Sequence, residues 1–142
     1  MKTAVVLLLS LLAGAAAAET AAVTVVTPDA LVWRSEPAAP GAAVAVAQGD
    51  PKSGPYVLRV RFERGARSAP HRHPDTRSIT VLSGNYWFAT GTRYDEAALQ
   101  AHGPGTLLVV PAGTPHFSAA KDGEVLVQEN GNGPTALERI EP

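Results

Sequence analysis

Three histidines carry the densest chemistry in this sequence. His71 and His73 stand one residue apart, and His116 follows the stiff run Pro111-Ala112-Gly113-Thr114-Pro115. On extended backbone, side chains at i and i+2 leave the same side of the strand, about 6.5–7 Å apart. Two imidazoles placed that way can converge on one cation through metal–nitrogen bonds near ~2.1 Å. The Pro-Gly-Thr-Pro turn comes just after the apolar run Thr106–Val110, where it can aim His116 back at a neighbouring strand. Alone, His-x-His is a frequent surface pattern, and one histidine behind a turn is more frequent still. His102 precedes Gly103-Pro104 and reads as an exposed loop histidine. Imidazole donors suit several ions. The expected cofactor is therefore one divalent transition metal of unspecified identity: Fe, Mn, Zn, Cu or Ni.

Short strands must position these side chains. Tyr56 to Phe62 is the clearest, with Tyr56, Leu58, Val60 and Phe62 on one face and Arg59 and Arg61 on the other. Ala43–Ala47, Arg77–Leu82, Tyr86–Ala89, Thr106–Val110, Val125–Asn130 and Ala136–Ile140 have similar character. Ser83-Gly84-Asn85, Gly103-Pro104-Gly105, Ala112-Gly113-Thr114 and Asp122-Gly123 separate them, the last suiting a tight hairpin with positive φ. Glu36 to Gly41 and Gly49 to Pro55 are loop material. Of Tyr86, Trp87 and Phe88, alternation sends either Trp87 or the other two inward. One piece, Asp95 to Ala101, looks helical. The absence of long amphipathic stretches sets a mixed α/β fold aside and predicts an all-β sandwich or barrel.

The first eighteen residues differ from the rest. Met1-Lys2 is a short positive start, Ala4 to Leu12 is apolar but for Ser10, and Ala16-Ala17-Ala18 precedes Glu19. That order is the pattern of a cleaved secretory signal, and the apolar stretch falls short of the ~20 residues of a spanning helix. The expected organisation is a signal peptide over 1–18, an N-terminal segment over 19–32 and a barrel over 33–142, in a periplasmic or secreted protein. With no cysteine, stability must come from packing, with a metal as the other candidate source. Cleavage removes only Lys2 of the twelve basic residues, leaving eleven against thirteen acidic ones. Such a balance, without a basic block, provides no footprint for nucleic acid or an anionic membrane.

The spacing around the histidines resembles the cupin superfamily. Gly65, His71, His73, Arg77 and Gly84 fall where its first motif places its landmarks, and Gly105, Pro111, Gly113 and His116 where its second does. The resemblance runs from about Trp33 to Gly133. It implies a double-stranded β-helix of jelly-roll type, with one short helix between the motifs and a metal on His71, His73 and His116. Two positions depart from the pattern: Arg77 stands in place of the ligand glutamate, and Ala120 in place of an asparagine. Three neutral imidazoles without a carboxylate would leave a coordination position open, as catalytic sites do. With ordinary imidazole pKa values near ~6.5, metal binding should weaken below about pH 6.

Asp75, Gln128 and Asn130 are the candidates to replace the missing glutamate. Gln128 also reads as a substrate contact or simply as a hydrogen-bonded core glutamine. Arg77 shares the inward face of Ile79 and Val81. Its guanidinium then either bends to the barrel mouth, into water or against Asp75, or clamps an anionic substrate such as a carboxylate. The expected function is a metal-dependent enzyme of oxygenase or isomerase type acting on a small molecule. The alternatives are a non-catalytic ligand- or metal-sensing barrel and a barrel that has lost its metal. A homodimer is compatible with the family.

Overall fold

The structure, a computed structural model, describes residues 21–141; the signal-peptide reading of 1–18 lies outside them. Eleven strands follow one another: β1 (Arg34–Ser35), β2 (Ala42–Gly49), β3 (Pro55–Phe62), β4 (Arg67–Arg72), β5 (Arg77–Ser83), β6 (Tyr86–Thr90), β7 (Gln100–His102), β8 (Leu107–Val110), β9 (His116–Ala119), β10 (Val125–Asn132) and β11 (Glu138–Arg139). They form two sheets, ordered β1-β2-β3-β10-β5-β8 and β11-β4-β9-β6-β7. Every pairing is antiparallel. The result is a jelly-roll barrel, all-β as the strand pattern predicts. Among the described residues, no helix is long and apolar enough to cross a membrane.

Alternation builds the core. Tyr56, Leu58, Val60 and Phe62 of β3 are all buried, and so are Arg77, Ile79 and Val81 of β5 and Val125 and Val127 of β10. Tyr86 and Phe88 turn inward and Trp87 outward, settling that alternative. Strand β9 is different, because all four of its residues are buried. Its outer face is covered by a small cluster in which Phe117 and Ala119 pack with Ala89 and Leu99, backed by Tyr94 and Trp87.

Two local expectations change. The helix expected over Asp95–Ala101 shrinks to a single 3-10 turn, Glu96–Ala98, capped by Asp95 Oδ1 accepting from the Ala97 N–H at 2.9 Å. Seven residues offer too few i→i−4 bonds to repay helix nucleation. Gln100–His102 instead pairs with β6 as β7. Asp122-Gly123 is not a hairpin turn, and Gly123 has no positive φ. The strands on either side, β9 and β10, belong to different sheets, so the segment is a crossover. At Gly84, by contrast, φ is +74° and a side chain would collide with the Glu124 carbonyl, so the β5–β6 turn does require glycine.

Candidate metal centre

Strands β4 and β9 are neighbours, and their register sets His71 directly opposite His116. His73 lies just past the end of β4, two residues on, and therefore on the same side as His71. The three rings meet, with centroid separations of 4.3 Å for His71–His116, 5.0 Å for His71–His73 and 5.4 Å for His73–His116. Their ligand atoms all lie within 4.8 Å of one another, a group that could hold a metal ion. His71 and His116 are 6% and 1% exposed, while His73 opens partly toward the mouth. Phe88 stacks on His116 at 5.2 Å. His102, on β7, lies two strands from β9 in the sheet and takes no part in the group.

The hydrogen bonds of the rings decide what they can do. Nδ1 of His71 lies 2.7 Å from the Ala69 carbonyl, that of His73 2.7 Å from Ala136, and that of His116 2.9 Å from Thr114. A carbonyl oxygen only accepts, so each Nδ1 carries the proton. Each Nε2 then keeps its lone pair free. Three neutral imidazoles with fixed tautomers are the donor set that a divalent transition metal requires, each with the outer hydrogen bond that orients such ligands. The residues fit the ion.

Burial keeps the rings neutral. It pushes His116 down to about 4, helped by its histidine neighbour His71 and by the Arg77 cation. His71 and His73 are lowered for the same first reason. His73 falls to about 3, because burial is joined there by the Arg77 cation. Proton competition therefore begins well below the pH of 6 or so that ordinary imidazoles would suggest.

Neutral, buried His116 makes the stability of the metal-free chain depend on pH. Between the unfolded value near ~6.5 and the folded value, the unfolded chain binds more protons, so stability rises with pH. Metal-free protein should lose about 2–3 kcal/mol from this histidine alone between pH 7 and pH 4.5. Urea titrations at the two pH values, on the chain and on His116→Gln, measure it. The acid loss should be smaller in the variant.

Arg77 is not at the mouth, and both terminal nitrogens of its guanidinium are taken by protein partners, leaving the buried Nε–H without one among the described residues. It is 3% exposed. Nη1 donates to Glu129 Oε2 at 2.7 Å, and Nη2 donates to Asp75 Oδ1 at 2.9 Å and to the Thr135 hydroxyl. The Tyr56 hydroxyl completes the cluster on Asp75. Gly131 lies against it, where any side chain would strike Tyr56 and Asp75. Burial pushes the Glu129 carboxyl up against the pull of Arg77. For Asp75, hydrogen bonds from Thr135 and Tyr56 and the Arg77 cation overcome burial and hold the carboxyl low. A cation at this position needs acids, and the strand neighbours provide two.

Gln128 faces away from the site. It is half-buried on the outer side of β10, and its Nε2 donates to Asn130 Oδ1 at 3.0 Å. Neither amide reaches the histidines. Glu129, between them, is the inward residue that the sequence reading passed over. Alternation carried the signal, since Glu129 shares parity with Val125 and Val127, the buried side of β10. Ala120, in the asparagine position, is fully buried and only exchanges backbone bonds with Gly65 and Ala66.

Beside the histidines lies a cavity of about 310 Å3. Val44, Leu58, Val60 and Phe62 form an apolar wall, and His73, Arg77 and Glu129 line it on the polar side, with Glu36 and Lys52 also on its lining.

Solved structures share this architecture. The polyketide cyclase RemF from Streptomyces resistomycificus superposes with a TM-score of 0.71 at 16% identity, over 85% of this chain and 87% of that one. KdgF from Halomonas sp. gives 0.62 at 23% identity, over 77% and 94%. A cupin-like protein from Thermotoga maritima gives 0.61 at 22%, over 77% and 86%. At these identities the likeness is one of fold. At the level of sequence no curated protein matches. The family model described as the ChrR cupin-like domain does match, over residues 21–133. With the jelly-roll barrel and the two-motif spacing already in view, the chain belongs to the ChrR cupin-like domain family of the cupin superfamily.

Proposed function

We propose that this is an exported metal-dependent enzyme acting on a small molecule, with one divalent transition metal held by His71, His73 and His116. The observation that supports it is the tautomer lock, in which three Nδ1–H groups are tied to carbonyls and three Nε2 lone pairs are left together. A divalent ion held there supplies Lewis acidity at a position open to water or substrate. The chain supplies the rest. Val44, Leu58, Val60 and Phe62 exclude water and receive an apolar body. Glu129 presents a carboxyl to the same cavity, and Arg77 balances its charge. The apolar wall favours a small molecule with a substantial apolar body. A polyketide cyclase among the structural neighbours agrees with enzymatic use of such a barrel. The charged, apolar and small-residue order of residues 1–18 supports export to the periplasm or the medium.

Protein recovered from its exported compartment tests both halves. Intact mass should correspond to a chain beginning at Glu19, and elemental analysis should find one transition metal per chain. A mass retaining residues 1–18 would end the export reading. Metal-free protein from a preparation never exposed to chelator would end the metal reading. Firm metal and ligand retention without turnover would instead make the barrel a binding or sensing domain.

A further inference from the structure

The three tautomer locks are not alike. His71 bonds the carbonyl of Ala69 and His116 that of Thr114, each two residues back along its own segment. Those two locks come with local backbone. His73 bonds Ala136, which is 63 residues away in the chain. Its partner belongs to the segment 133–140, a strap that leaves β10 and crosses to the far edge of the other sheet.

The strap is fastened on both sides of Ala136. Before it, the Gly133 and Thr135 N–H groups donate to the Gly54 and Pro51 carbonyls, each at 2.8 Å. The Thr135 hydroxyl accepts from Arg77. After it, β11 pairs with β4 so that Glu138 faces Arg72 and Arg139 faces His71, and Arg72 Nε donates to Glu138 Oε2 at 2.9 Å. Thr135, Ala136 and Leu137 line the cavity. Ala136 is itself exposed, so its carbonyl is held over His73 by the fastenings of the strap and not by burial of its own side chain.

We infer that the strap is a positioning element for the metal site: Arg77, through Thr135, holds the Ala136 carbonyl on His73 Nδ1 and so fixes the tautomer and aim of the third ligand. This rests on the metal reading for its consequence, though not for its geometry. An imidazole whose outer hydrogen bond is lost no longer has its proton confined to Nδ1, and its Nε2 lone pair is no longer always available.

Two changes on the full chain test it, Thr135→Val, which removes the acceptor at nearly constant shape, and the exposed Glu138→Ala; Thr135→Ser is the conservative rescue. The first readout needs no metal: long-range proton–nitrogen spectra of the metal-free protein near neutral pH report the tautomer of each ring. The chain itself should show all three histidines protonated on Nδ1. Thr135→Val should move His73 alone toward a mixture, with Glu138→Ala acting in the same direction and Thr135→Ser restoring the original spectrum. Zinc affinity, by competition with a chromophoric chelator, should fall about tenfold in Thr135→Val and recover in Thr135→Ser. An unchanged His73 tautomer in both Thr135→Val and Glu138→Ala would overturn the inference, as would equal shifts of all three rings. If the chain takes up no zinc at all, the metal reading fails, and the His73 tautomer still decides the role of the strap.

Discussion

His116→Ala is expected to lower the affinity for a divalent ion by more than about 100-fold, since losing only an outer partner of a ligand already costs about 10–100-fold. The ring is 1% exposed, directly opposite His71, and its Nε2 belongs to a group whose ligand atoms lie within 4.8 Å of one another. Removing it leaves two donors from the β4 segment and none from β9. No carboxylate belongs to the group among the described residues, so nothing nearby takes the vacant position. The fold should survive, because the lost ring is a neutral base rather than a charge with a buried partner. His102→Ala should bind metal as the unaltered chain does. Chelator competition on both variants is the measurement. Retention by His116→Ala to within about tenfold, or an equal loss in His102→Ala, would place the site elsewhere.

Arg77→Met should cost about 3–5 kcal/mol of stability, the usual price of removing one partner from a buried ion pair. In a domain of this size that is a fall of roughly 10–20 °C in Tm. Glu129 and Asp75 lose their cation together, and Glu129, held deep in the barrel, is the more exposed to the loss because burial already opposes its charge. Changing Glu129 to Gln in the same chain should return much of the stability, because the uncompensated carboxylate is then gone. Arg77→Glu should be worse than Arg77→Met. In the metal-free chain it sets a third carboxylate against Glu129 and Asp75. Thermal and urea unfolding of the three variants decide the matter. A loss below about 1 kcal/mol in Arg77→Met would mean the cluster is solvated and not structural.

How the site is built explains why the two positions differ so much. His71 and His73 share a face through strand parity alone, so their joint action was readable in the sequence. His116 was readable as a motif, by spacing and by the turn before it, but only the β4–β9 register brings it to His71. For Arg77 the parity and the Asp75 partner were readable, and its other partners were not. Asp75 is two residues away, whereas Glu129 and Thr135 arrive from β10 and the C-terminal strap. Gln128 shows the opposite failure: its polar character drew attention, while the alternation of Val125, Val127 and Glu129 pointed the neighbouring residue inward.

The sequence by itself determined the all-β class, most of the strands, the inward faces of β3 and β5, and the histidines that make up the group. These are local properties, set by alternation, turn chemistry and the positions of Gly, Pro and His, which act over a few residues. The tertiary structure alone decided that Glu129 joins Asp75 in neutralising Arg77, that Asp122-Gly123 crosses between sheets, and that Ala136 holds His73. The first and last of those join segments far apart in the chain, and which carbonyl or carboxylate meets a given donor is settled only when the two sheets close on each other.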